Sequence, residues 1–159
     1  MSRWGLESGH LDLTLPYAEA INMAAIDEAC PAALAYAIAW RESIFGETQG
    51  WWEASSIESA DGGHGLFQLT ASWPTNWMEP AANARYAMSN FIIPAGEYWQ
   101  GRVDGSQALV KCIAATYNAG LGNAVAGHAQ GDVDKFTSNG YGAAVAEYYA
   151  EIIATGRPT

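Results

Sequence analysis

The run AALAYAIAWRES, Ala32 to Ser43, constrains the fold of this chain more than any other stretch. From Ala32 to Trp40 it carries no charge, and a helix that is apolar all round belongs inside a core. That helix then ends in Arg41 and Glu42. Leu34, Ile38 and Glu42 fall at i, i+4 and i+8, which puts the carboxyl on the same side as two core residues. Burial and the negative end of the helix dipole both disfavour a carboxylate. Together they push its pKa toward the value that a general acid needs near neutrality. The competing reading is a solvated or ion-paired Glu42, the ordinary state of a charge at a helix end.

A chain of 159 residues fits one domain, residues 1–159, with a core that needs no disulfide staples. The spacing of Ile21, Ala24, Ala25 and Glu28 predicts a first helix from Tyr17 to Ala29. Pro31 suits the first turn of the second, which runs to about Ile44, where Gly46 can end it. Glu47 to Gly65 lacks helical period and reads as irregular or as a small β region, with short strands around Gly65 to Thr70. Pro80 opens a further helix with Ala84, Met88, Phe91 and Ile92 on its apolar face, and Pro94 kinks or divides it. Ser106 to Asn118 forms the next, with Val110, Ile113, Ala114 and Tyr117 on one side, until the run GLGN breaks it. A short helix near Ala124 to Ala129 and a last one from about Ala143 to Ala154 follow. The predicted class is mainly α: a single helical domain with a small β or irregular insertion after the Glu42 helix.

A net charge of −10 with only seven Lys and Arg excludes nucleic acid as a natural partner, because binding there depends on cations set against phosphates. An anionic wall polymer would also be repelled at long range, so affinity for one has to come from short-range stacking and hydrogen bonds. Seven Trp and eight Tyr supply ring surface for such contacts. Cys30 and Cys112 read as two buried thiols, with a single bridge as the alternative. The N-terminal run MSRWGLESGHLDL has no apolar stretch before a small-residue cleavage site, so no secretion signal is expected. No apolar stretch approaches the ~20 residues of a membrane span. His10, His64 and His128 lack metal-ligand spacing such as HExxH, and no GxSxG elbow occurs, so neither a zinc peptidase nor a serine hydrolase is supported. No metal or cofactor is expected.

Two further segments bear on Glu42: GLFQLT, Gly65 to Thr70, and AATYNAG, Ala114 to Gly120. With Arg41-Glu42-Ser43 they stand in the order, and at about the separations, of the motifs of the goose-type lysozyme and soluble lytic transglycosylase superfamily, which the chain resembles from about Ala32 to Gly127. Phe67 replaces the family's usual Met and Thr116 its usual Ala, and the run YNAGLGNAV is closer to the goose-type members. The resemblance implies a lysozyme-like α+β fold and a muramidase acting on peptidoglycan glycan strands. Such an enzyme cleaves the β-1,4 bond between N-acetylmuramic acid and N-acetylglucosamine. Glu42 would be the general acid, with the Tyr117 hydroxyl near it and able to hold its orientation. Gln68 and Asn118 match positions that shape the glycan cleft and Gly65 one that lets sugar approach the backbone; His64, just before GLFQ, and Ser43 are further substrate-binding candidates, although Ser43 can equally brace the helix end. Trp51, Trp52, Trp73 and Trp77 are candidates for stacking on sugar rings.

Hydrolysis with inversion needs a second carboxylate ~6.5–9.5 Å from the acid to hold water, and transglycosylation to a 1,6-anhydro product does not. Asp61 and Glu58 precede Gly65 and are the candidates, while Thr70 stands where a goose-type Asp follows the motif. Asp61, in the run DGGHG, reads equally well as a turn-initiating residue. The expectation is a lysozyme, with a lytic transglycosylase as the alternative. A non-catalytic peptidoglycan-binding or virion structural protein is the reading from another class, and it would have no use for a proton donor. The missing signal fits a monomeric phage or phage-like enzyme that reaches the wall from the host cytoplasm or is carried in a virion.

Overall fold

In the computed structural model residues 3–43, 56 and 58–159 are described, so Ile44, Gly46, Trp51 and Trp52 lie outside the described residues. The chain is mainly helical: α1 (Ala18–Asp27), α2 (Ala32–Ser43), α3 (Pro80–Ala87), α4 (Ile93–Trp99), α5 (Ser106–Ala119), α6 (Leu121–Ala129) and α7 (Tyr141–Thr155). Short 3-10 turns occupy Arg3–Gly5 and Val133–Phe136. No described helix is long and apolar enough to cross a membrane.

Every residue of α2 from Ala32 to Ala39 is buried, as its uncharged run requires. The Pro31 carbonyl accepts the Ala35 amide at 3.1 Å, so the proline stands just ahead of the helix. Five alanines in this stretch keep the helix narrow, and α1 and α7 pack closely against it. Leu34 and Ile38 are fully buried, and each such side chain contributes about 1.5–3 kcal/mol. α7 packs on both α2 and α5, and α1 lies on α3, so one core joins them. Cys30 and Cys112 are free, buried thiols, and burial pushes their pKa values up to about 12 and about 11.

The helix opened by Pro80 is divided, with Pro94 in the first turn of α4. α3 runs into α4 through a π-helical turn, Met88–Ile92, in which the Ile93 amide reaches back five residues to the Met88 carbonyl. A proline has no N–H and its ring crowds the carbonyl four residues before it, and the wider turn accommodates both defects.

Of the two readings for Glu47 to Gly65, irregular or a small β region, the irregular one holds where the segment is described; residues 47–55 and 57 lie outside the described residues. Among the described residues between α2 and α3 the only ladder pairs are two isolated antiparallel bridges, Glu58 with His64 and His64 with Leu69. What forms instead is a tight turn: the Gln68 amide bonds the Gly65 carbonyl at 3.1 Å, while His64 and Leu69 exchange amide–carbonyl bonds of 3.1 Å. The tip of this turn is apolar and faces inward, with Leu66 and Phe67 fully buried. Gly65 has φ +69°, and a Cβ there would meet the Asn83 amide nitrogen at 2.5 Å.

Asn83, fully buried on α3, holds the turn with its whole side chain. Its Nδ2 donates to the His64 and Trp77 carbonyls and its Oδ1 accepts the Phe67 amide, all at 3.0 Å. Removing this side chain leaves the buried Phe67 amide and the half-buried Trp77 carbonyl without these bonds and takes one of its two donors from the His64 carbonyl. Asn83→Ala is therefore expected to lower unfolding stability by about 2–4 kcal/mol in urea titrations; a loss below ~0.5 kcal/mol would show that the turn does not depend on it.

Candidate active site

Four segments converge beside the end of α2. α2 brings Glu42 in its last turn, α5 brings Tyr117 and Asn118 in its last turn, the buried-tip turn brings Gln68, and the loop before it brings Asp61. Together with Phe91 from the π-helical turn these residues line a cleft of about 690 Å³. Ser43, His64 and Gly65 do not line it.

The Glu42 carboxyl is the unusual group in this cleft. Burial pushes its pKa up from 4.5 to about 7, and the negative charge of Asp61 adds to the rise. Hydrogen bonding by Tyr141 and the charge of Arg41 act in the opposite sense, and burial outweighs them. The Tyr141 hydroxyl donates to Glu42 Oε1 at 2.6 Å. Burial, reinforced by the nearby Glu42, holds the Tyr117 and Tyr141 hydroxyls well above their usual pKa, so both remain neutral donors.

The tyrosine bonded to the carboxyl is therefore Tyr141, and not Tyr117 as expected. Tyr117 lies close enough for Glu42 to act on its ionisation, but its hydroxyl donates to the Phe67 carbonyl. Ser43 braces the helix end, donating to the Leu66 carbonyl at 2.6 Å. The two carbonyls of the buried tip are thus bonded by hydroxyls from α2 and α5, which fastens one wall of the cleft to the helix that carries Glu42.

Gln68 lines the cleft with a left-handed backbone, φ +45°, which is uncommon for a residue with a side chain. Its Nε2 donates to the Gly65 carbonyl at 2.9 Å. The Asn118 Oδ1 accepts the Ser138 amide at 3.0 Å, tying α5 to the segment before α7. Thr116, where the motif usually has Ala, accepts the indole N–H of buried Trp99 at 2.7 Å. Asp61 is exposed; the Ser59 hydroxyl donates to it and holds its carboxyl below the usual range.

His64 is buried in a packed cluster. Its Nδ1 lies 3.1 Å from the Leu69 carbonyl oxygen, its Nε2 lies 3.5 Å from Glu58, and its ring stacks on Trp73 with centroids 3.8 Å apart. Trp77 packs edge-on to the same ring, so both tryptophans have His64 as a structural neighbour. Glu58 sits beside this ring and does not line the cleft, so among the described residues Asp61 is the second carboxylate there. Among the described residues no three His, Cys, Asp or Glu side chains are grouped to hold a metal ion.

Sequence reasoning missed Tyr141 because it starts the last helix at Ala143, two residues late. The turn SNGY before it, with Gly140 at the helix cap, is the signal that could have placed Tyr141 on the first turn. Compared with known protein families and with curated proteins, the chain matches none.

Between about pH 4.5 and 7 the folded protein holds a proton on Glu42 that the unfolded chain has released. Stability therefore falls as pH rises through this window, and the full cost is present above it. Glu42→Gln keeps an oxygen for Tyr141 and removes the charge. The variant is expected to match the parent near pH 4.5 and to exceed it by roughly 1–3 kcal/mol at pH 8 in urea unfolding. Parallel stability–pH curves for the two proteins would contradict the buried-acid assignment.

Proposed function

We propose that this chain is a peptidoglycan-degrading muramidase of the goose-type lysozyme and soluble lytic transglycosylase kind, with Glu42 as its general acid. The observation that carries this reading is a carboxyl whose burial raises its pKa to about 7, hydrogen-bonded by Tyr141 on the wall of a cleft of about 690 Å³. The three motifs in register supply the substrate class, and the cleft has the size of a ligand site.

In this account Glu42 enters the reaction protonated and passes its proton to the glycosidic oxygen as the bond to the muramic acid C1 breaks. The carboxylate that results gains from the Tyr141 hydroxyl, because the hydrogen bond strengthens as charge develops on its acceptor. Asp61, ionised at the same cleft, is the base that takes a proton from the attacking water. Gln68 and Asn118, on the lining of the same cleft, border the glycan. Hydrolysis then leaves a reducing muramic acid end and a free 4-hydroxyl on N-acetylglucosamine.

One observation favours the second reading, a lytic transglycosylase. The Asp61 carboxyl is exposed and already engaged by Ser59 in its own turn, as a structural turn residue would be. In that reading the muramic acid 6-hydroxyl attacks C1 and gives up its proton to the Glu42 carboxylate. Asp61→Asn separates the two: it stops turnover if Asp61 activates water and leaves it intact if the attack is internal.

Glu42→Gln is expected to fold and to lose at least ~10²-fold of peptidoglycan-clearing activity. Activity of the parent is expected to decline as pH rises through about 7, where Glu42 loses its proton. Near-normal clearing by Glu42→Gln in a turbidity assay would overturn the assignment.

A further inference from the structure

Asp134 is a buried carboxylate that the chemistry above leaves unused. It lies in the 3-10 turn Val133–Phe136, yet its side chain serves another element. Its Oδ1 accepts the Gly142 amide at 2.7 Å and lies 3.0 Å from the Thr137 hydroxyl, and its Oδ2 accepts the Ala143 amide at 2.8 Å. Gly142 and Ala143 belong to the first turn of α7, whose cap residue, Gly140, has no side chain to offer them. A carboxylate from outside the helix thus takes up two of the amides that every helix start leaves unpaired, at the positive end of the dipole.

The sequence is shaped for this approach. A Cβ on Gly142 would meet Asp134 Oδ1 at 2.6 Å and the Lys111 carbonyl at 2.6 Å, so only a glycine lets the turn settle onto both. The same helical turn begins with Tyr141, which is the donor to Glu42. We infer that Asp134 is a positioning residue for Glu42: by anchoring the first turn of α7, it holds the Tyr141 hydroxyl on the carboxyl of the acid. The inference deepens the proposed function and rests on it for its purpose, but its test reads the carboxyl itself.

Among the described residues the groups around both ends are few. Glu42 is faced by Arg41 from its own helix, Asp61 from the loop, Tyr117 from α5 and Tyr141 from α7. Asp134 is faced by Lys111 of α5, with Nζ 3.6 Å from Oδ2, and that lysine also pairs with Asp132 at 3.3 Å. Removing the negative charge of Asp134 can, through charge alone, only make Glu42 easier to ionise. Loosening Tyr141 makes it harder. The two mechanisms have opposite signs, and the sign of the change identifies which one operates.

The experiment labels glutamate carboxyls with carbon-13 and follows Glu42, assigned by its absence in Glu42→Gln, through a pH titration by NMR. Tyr141→Phe is expected to raise the Glu42 pKa by roughly one pH unit, the worth of a hydrogen bond to a charged group. Asp134→Asn is expected to raise it in the same direction, and the Asp134→Asn/Tyr141→Phe pair no further than Tyr141→Phe alone. Gly142→Ala keeps every charge, displaces the same turn and is expected to raise the pKa as well; it decides the matter if Asp134→Asn fails to fold. An unchanged or lowered Glu42 pKa in Asp134→Asn and Gly142→Ala overturns the inference, and so does an unchanged one in Tyr141→Phe. Failure of the parent protein to degrade peptidoglycan would remove the proposed function and leave the titration result standing.

Discussion

A helix with no exposed face must still end, and the end of α2 leaves a carboxyl with fewer waters around it than its charge requires. The burial of Ala32 to Ala39 fixes the axis of this helix against α1 and α7, and that packing fixes where Glu42 emerges. The rise in its pKa is thus a consequence of the core. Arg41 stands beside it without cancelling the effect. Its guanidinium lies over the Tyr141 ring at 5.6 Å, and its Nε is buried without a hydrogen-bond partner among the described residues.

The cleft wall depends on the same core through a different device. A turn whose tip is Leu66 and Phe67 would bury bare backbone, and side chains from three helices supply the missing partners. Ser43 takes the Leu66 carbonyl, Tyr117 takes the Phe67 carbonyl and Asn83 takes the Phe67 amide. Polar groups buried with all their partners make a rigid support. Gln68 rides on this support in a left-handed conformation that a looser turn would relax. The acid and the wall it faces are therefore held by one set of interactions, and the muramidase proposal draws on that shared placement.

Much of this was legible in the sequence where a local pattern carries the signal. The uncharged run of α2 has a single sensible location, and the apolar faces of the α3–α4 region and of α5 follow from their spacing. Glu42, Gln68, Tyr117, Asn118 and Asp61 do share one cleft. Local pattern does not report which hydroxyl reaches which oxygen. Tyr141 bonds Glu42 across 99 positions, and Tyr117 turns to a carbonyl 50 positions away. Ser43, in the first motif, and His64, just before the second, bond the turn and its neighbours instead: Ser43 the Leu66 carbonyl, and His64 Leu69 and Glu58. Around Gly65 to Thr70 pairing stops at single bridges for a physical reason: Gly62 and Gly65 take left-handed backbone that turns the chain before a strand can lengthen, and Leu66 and Phe67 fill a core instead of a sheet face.

The central claim is that a proton held on Glu42 is delivered to a glycosidic oxygen of peptidoglycan. Mass spectrometry of the fragments released from purified sacculi by the folded protein, near pH 6, tests it most directly. The account predicts soluble disaccharide-peptide fragments cut between N-acetylmuramic acid and N-acetylglucosamine, ending mainly in reducing muramic acid. Fragments ending mainly in 1,6-anhydromuramic acid would keep Glu42 as the acid and replace water as the nucleophile. Intact sacculi, or fragments cut only in their peptides, would contradict the claim.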